Sequence, residues 1–209
     1  METPEDNKDY LRTDYWDERY RREENYDWLL TYQALSPVLT PLLLPTQRIL
    51  VLGAGNSSLS ADLYEAGYEN ITNIDISAVV VERMQAKHHD KPNMLCKSHP
   101  GLQMDMLSLQ FPPHSFDVVL DKATMEVLQV DTEDPWNPQE AVLERCRAYC
   151  EGVARVLKET GRLLQVSFQQ PHFRKPVLMQ WGLSWTYEVK TLEGGVLPYY
   201  LFVLRMGAG

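Results

Sequence analysis

Arg48-Ile-Leu-Val-Leu-Gly-Ala-Gly-Asn-Ser57, with Ile71-Thr-Asn-Ile-Asp75 after it, decides how this chain is read. Ile49 to Leu52 are apolar without polar alternation, the pattern of a strand buried on both faces. Gly53 and Gly55 then permit a sharp turn and a close approach of main-chain atoms to a ligand. Ser57 to Ala66 reads as a helix stopped at Gly67, and Ile71 to Ile76 as a second strand. In a parallel βαβ unit this spacing sets Asp75 at the carboxyl edge of the sheet, beside the glycine turn, where ribose hydroxyls can be gripped.

The rhythm continues outward. Ser77 is a capping residue for a helix that runs to about His89. Gly101 to Met106 reads as a third strand and Phe116 to Leu120 as a fourth. Pro138 to Leu157 is a long amphipathic helix, followed by Gly161 and a fifth strand, Arg162 to Phe168. Ser184 to Lys190 and Tyr199 to Arg205, separated by Glu193-Gly-Gly, read as an antiparallel hairpin. Strands alternating with helices predict an α/β, Rossmann-like fold: a seven-stranded, mostly parallel sheet with helices on both faces and a C-terminal antiparallel hairpin. Residues 1–9 are expected to be disordered and 10–209 to form a single domain. Within it, 10–44 is a helical lid rich in Tyr15, Trp16, Tyr20, Tyr26, Trp28 and Tyr32, and 48–205 is the core. Asp14 is placed to cap the first lid helix, and Asn25 interrupts the run. Packing aromatics and cofactor-covering aromatics are both open readings of that segment.

At 209 residues the chain is long enough for one well-cored domain. The longest apolar run, Val38 to Leu44, is broken by Pro41 and is far short of the roughly 20 residues needed to span a bilayer. The polar, acidic start predicts neither a signal nor a transit peptide, and a cytoplasmic location is the expectation. A net charge of -9 disfavours a nucleic-acid partner. The three cysteines are not a disulfide framework. Cys146 and Cys150, one helical turn apart, read as small residues on a helix face. Cys96 and His99 have a ligand-like spacing but no second pair to complete a zinc site, so no metal is expected.

Two cofactor classes use a strand, a glycine turn and a distant acid. The dinucleotide fingerprint needs a third glycine, and Leu59 stands there, so S-adenosyl-L-methionine, which has no pyrophosphate to cradle, fits better. On that reading the cofactor is held by Gly53, Ala54, Gly55, Asn56 and Ile76, with Asp75 at the ribose. Asp105, Met106 and Leu107, after the third strand, fall at the adenine, although Asp105 also reads as a turn aspartate. Asp121 and Lys122, after the fourth strand, fall near the reacting methyl, although a surface ion pair is an alternative.

Tyr15-Trp-Asp-Glu-Arg-Tyr20, Tyr26-Asp-Trp28, Ile49 to Ser57, Asn73-Ile-Asp-Ile-Ser77 and Phe116-Asp-Val-Val-Leu-Asp-Lys122 resemble the methyltransferase-like family of protein lysine methyltransferases. Asp134-Pro-Trp136 and Pro171-His-Phe-Arg174 strengthen the likeness, which covers nearly all of Tyr15 to Leu204. The resemblance implies a class I S-adenosylmethionine-dependent enzyme, a protein substrate such as translation elongation factor 1-alpha, and closure of Trp16, Tyr20 and Trp28 over the cofactor. One departure stands out. The family pattern after Asp-Lys is Gly-Thr-Leu-Asp, and here it is Ala123-Thr-Met-Glu126. Asp121 and Glu126 are the candidate catalytic carboxylates, orienting the amine and easing its deprotonation. A small-molecule methyltransferase and a non-catalytic cofactor-binding protein are the competing functions.

Overall fold

Ile49–Leu52 forms β1, the centre of the sheet, and every one of its residues is buried. Leu50 and Leu52 enter one hydrophobic cluster while Ile49 and Val51 enter the other, as the two-residue strand repeat requires. The computed structural model describes residues 4–89, 102–193 and 197–207. The remaining strands are β2 (Ile71–Asp75), β3 (Leu102–Gln103), β4 (Phe116–Lys122), β5 (Leu157–Ser167), β6 (Trp185–Leu192) and β7 (Tyr199–Met206). They form one seven-stranded sheet in the order β3-β2-β1-β4-β5-β7-β6. The first five are parallel, and β7 runs antiparallel between β5 and β6. The chain order reverses between β1 and β4, which opens a crevice beyond their carboxyl ends.

The helices are α1 (Thr13–Arg22), α2 (Tyr32–Leu39), α3 (Leu59–Glu65), α4 (Ala78–Lys87), α5 (Glu140–Val156) and α6 (Pro171–Met179). Helices α5 and α6 cover one face, sharing a cluster with Leu50, Leu52, Val119 and Leu163. Helices α2 and α3 cover the other, with Val51, Val118, Leu120 and Leu164. Ser77 caps α4, its hydroxyl accepting from the Val80 N–H. Among the described residues no helix is long and apolar enough to cross a membrane.

Several elements differ from expectation. Within the segment expected to be disordered, the chain enters a 3-10 turn over Asn7–Leu11, capped by the Asp6 side chain. The cap position of α1 is Arg12 rather than Asp14, and Asp14 instead takes the Arg12 guanidinium. The lid does break at Asn25 as expected, but the break is long: between α1 and α2 the chain is irregular, and Tyr26 and Trp28 sit in that link. β3 has two described residues instead of six, and β5 starts at Leu157, five residues early. Helix α6, with Pro171 at its start and Pro176 inside it, was not foreseen. Pro171 stands at its first turn, where a missing N–H costs nothing. Cys146 and Cys150 are buried, and burial raises their thiols to about 11 and about 12, which leaves both protonated and inert. Cys96 and His99 lie outside the described residues.

Candidate active site

The crevice holds a cavity of about 660 Å³ whose wall runs from the N-terminal segment across the glycine turn to the ends of β4 and β5. Gly53 and Gly55 both adopt φ +55°, a conformation that side chains disfavour. A Cβ on Gly53 would come within 2.3 Å of Thr124 Cγ2, and one on Gly55 within 2.8 Å of the Tyr20 hydroxyl. Glycine is therefore required twice over, by backbone conformation and by what stands opposite. Asp75 Oδ2 accepts from the Gly55 N–H at 2.9 Å and Oδ1 from the Ser77 N–H at 3.0 Å. Burial pushes its carboxyl up to about 6, against the pull of those N–H donors.

Gly53, Ala54, Gly55, Asn56, Asp75, Ile76, Asp105, Met106 and Leu107 all line this cavity, as do Trp16, Tyr20 and Trp28. Asp105 is also the turn aspartate of the other reading, since its Oδ1 accepts from the Leu107 N–H at 2.8 Å. Trp16 stacks on Tyr20 with ring centroids 5.7 Å apart. The Arg19 guanidinium lies 4.9 Å from the Trp28 ring, also faces Trp16 and Tyr26, and is paired with Glu23 at 3.0 Å. Such cation–π contacts hold the rings as a unit.

Side chains from the body fasten this strap. Asp27 accepts from the Ser57 and Ser58 hydroxyls and from Lys122 Nζ, the last at 3.1 Å. Lys122 Nζ also donates to the Trp28 carbonyl at 2.8 Å, and the Asn56 amide donates to the Glu23 carbonyl at 3.1 Å. Ser77 Oγ donates to Asp17, and Arg83 to the Tyr20 carbonyl. Lys122 lines the cavity, but its ammonium is committed to the strap, and its partner is Asp27 rather than Asp121.

Asp121 is a correction. It was expected beside the reacting methyl as a cofactor and catalytic carboxylate, and the structure instead buries it fully, outside the residues that line the cavity. Strand alternation turns it toward α5, where Oδ2 accepts from the Tyr149 hydroxyl at 2.7 Å. It also accepts from the Thr124 N–H at 2.9 Å and the Met125 N–H at 3.2 Å, which makes it the anchor of the turn that follows β4. Burial and the nearby Glu126 raise its carboxyl to about 6.

Glu126 does line the cavity. It sits in a 3-10 turn, Met125–Gln129, that sequence reading missed. Its Oε1 accepts from Arg174 Nη2 at 2.8 Å and from the Ser167 hydroxyl, while Oε2 is enclosed without a protein partner. Arg174 is wholly buried, with Nε and Nη1 unpaired. Its fixed charge beside Glu126 leaves the pair near neutral. Asp27, Thr124 and Arg174, to which the sequence reading gave no role, hold Lys122, the Leu52 carbonyl and Glu126 respectively. The hydroxyl pair Ser57-Ser58 after the glycine turn was the available signal for Asp27. Ala123, where the family pattern has glycine, is held at φ +65°.

Residues 50–165 match a family model described as a methyltransferase domain. A Mus musculus protein named EEF1A lysine methyltransferase 4 is 34% identical over 209 residues, covering 99% of this chain and 80% of that one. A Mus musculus protein named eEF1A lysine and N-terminal methyltransferase is 37% identical over 175 residues, covering 82% of this chain and 24% of the relative. Among solved structures, the Burkholderia thailandensis 1,6-didemethyltoxoflavin-N1-methyltransferase with bound S-adenosylhomocysteine superposes with a TM-score of 0.65. At 14% identity, over all of this chain and 92% of that one, it is a likeness of fold.

Proposed function

This chain belongs to the methyltransferase domain family and is an S-adenosylmethionine-dependent methyltransferase, and we propose that it methylates a lysine side chain of a protein, with translation elongation factor 1-alpha as the first substrate to test. The observation that carries the proposal is the alignment across 99% of the chain with a protein named for that activity. A cytoplasmic site of action is part of the same proposal, as is a single domain in which residues 10–44 serve as the lid of a 48–205 core.

The glycine turn fits the cofactor, since Gly53 and Gly55 line the cavity and any side chain on them would strike Thr124 or the Tyr20 hydroxyl. Gly53, Ala54, Gly55 and Asn56 hold its amino-acid portion through main-chain groups. Asp75 accepts from the ribose hydroxyls, and Ile76, Asp105, Met106 and Leu107 frame the adenine. Trp16, Tyr20 and Trp28 exclude water from above. When bound, the sulfonium supplies an electrophilic methyl carbon. A neutral lysine nitrogen would take that methyl, with the electron pair of the broken carbon–sulfur bond left on sulfur.

The nitrogen must arrive without its extra proton, and Glu126 is assigned to take it on Oε2. Arg174 fixes the other oxygen and cancels the carboxylate charge, so the site favours a neutral amine over an ammonium. The protein's larger contribution is alignment of the two reacting atoms. Purified chain incubated with methyl-labelled S-adenosylmethionine and recombinant elongation factor 1-alpha is expected to label a lysine. Glu126→Gln is expected to lower kcat by about a hundredfold or more while holding cofactor affinity. Label found only in small molecules, or none in the elongation factor, overturns the substrate assignment.

A further inference from the structure

Trp136 is 76% exposed, an unusual state for the side chain that buries the most apolar area. It does not stand alone. Its ring lies 5.8 Å from that of His172 at an interplanar angle of 24°, and 4.7 Å from that of Phe173. His172 and Phe173 are themselves 4.2 Å apart. Two segments separated by more than thirty residues thus build one platform. The Asp134 carboxylate accepts from the Trp136 N–H at 2.9 Å and fixes the loop that carries the ring.

The platform is continuous with the active site. Phe173 precedes Arg174, whose guanidinium reaches inward to Glu126. Phe168, 56% exposed, lies on the cavity wall. The charge beside the rings is acidic: Glu133, Asp134 and Glu140 are exposed and, among the described residues, none has a cation within ion-pairing distance. The cations nearby are already engaged, Arg145 with Asp131, Arg174 with Glu126 and Lys175 over the Tyr187 ring. Exposed aromatics bordered by unpaired carboxylates match a basic protein surface, whose lysine and arginine stems lie on rings and whose charges meet acids.

We propose that Trp136, His172 and Phe173 form the docking platform for a basic, lysine-bearing protein substrate, engaged outside the catalytic cavity while the target lysine enters it. The proposal rests on the protein-lysine reading of the cavity. It predicts that affinity for whole protein is set at the platform and affinity for cofactor is not.

The test is direct binding of recombinant elongation factor 1-alpha to the full chain loaded with S-adenosylhomocysteine, compared with Trp136→Ala and Trp136→Phe. Trp136→Ala is expected to weaken binding about thirtyfold, the scale of an exposed aromatic anchor, and Trp136→Phe to recover part of the loss. Melting temperature and S-adenosylhomocysteine affinity stay unchanged, since the ring supports neither. Equal binding by wild type and Trp136→Ala, or no binding by wild type, overturns the proposal. So does a wild-type dimer that Trp136→Ala converts to monomer, which would make a second copy the occupant. If the elongation factor binds through Trp136 but takes no label, the docking platform stands and the lysine-transfer reading fails.

Discussion

Replacing Ala123 by glycine should stabilise the protein, although it removes a methyl group and adds flexibility to the unfolded chain. Ala123 is held at φ +65° because both its neighbours are fixed. Its own N–H donates to the Val166 carbonyl at 3.0 Å, and the Thr124 N–H is taken by Asp121. A left-handed alanine costs about 1–2 kcal/mol, and glycine returns about 0.4–1 kcal/mol of that through unfolded-state entropy. The midpoints leave a gain of about 0.8 kcal/mol, equivalent to a melting temperature higher by about 1.5–3 °C in a chain of this size. Thermal melts followed by circular dichroism, with urea titrations to show an unchanged m-value, measure it. Ala123→Val, β-branched and more crowded at positive φ, should move the other way. Thr124 keeps its bond to the Leu52 carbonyl in every case, so cofactor affinity should change by less than about twofold. If Ala123→Gly melts at the wild-type temperature or below with m unchanged, the turn is not strained and the reasoning fails.

Asp27→Ala strips a buried Lys122 of its counter-ion and should cost about 3 kcal/mol. Urea unfolding reads the stability loss, and a matching fall in S-adenosylmethionine affinity would tie it to the strap. Asp75 carries a carboxyl raised from 3.8 to about 6, so the folded chain binds more protons than the unfolded one between those values. Its contribution to stability is fullest below the lower value and is lost as pH rises through about 6. If Asp75 accepts from the ribose as proposed, cofactor affinity should follow the opposite course, falling below pH 6 as that carboxylate is protonated, and Asp75→Asn should flatten the profile in a calorimetric pH series. Asp121→Ala should destabilise by about 3 kcal/mol through its three lost hydrogen bonds, one of them to a buried tyrosine. In the residual folded fraction its kcat should exceed that of Glu126→Gln, and the reverse ranking would return Asp121 to a chemical role.

What was legible in the sequence was local. The run from Ile49 to Asp75 carries its strand, turn and helix in consecutive residues, and the Ser77 cap depends on a bond three residues away. The 3-10 turn at Met125 and helix α6 were harder, since a short turn has no periodicity and a nine-residue helix with two prolines has little helical signal of its own. Asp121 shows the sharper limit. It and Lys122 are adjacent, and one of them had to face the crevice. A strand reverses faces at each residue, so the choice depended on register against β1 and β5 rather than on residue type. The tie between Asp27 and Lys122 spans 95 residues and involves two ordinary charged side chains. Nothing in either neighbourhood marks them as a pair.

The strap joins the body through side chains and stray carbonyls, with no strand of its own in the sheet. Its opening free energy is therefore that of a few bonds, well below that of unfolding the molecule. On the proposed placement of the cofactor under Trp16, Tyr20 and Trp28, the spent molecule would wait for such an opening before it leaves. The residence time of the product, and with it the ceiling on turnover, would then be written in the Asp27 clasp rather than in the methyl-transfer step. Backbone hydrogen exchange across residues 13–31, slowed by bound S-adenosylhomocysteine, would report that clock directly.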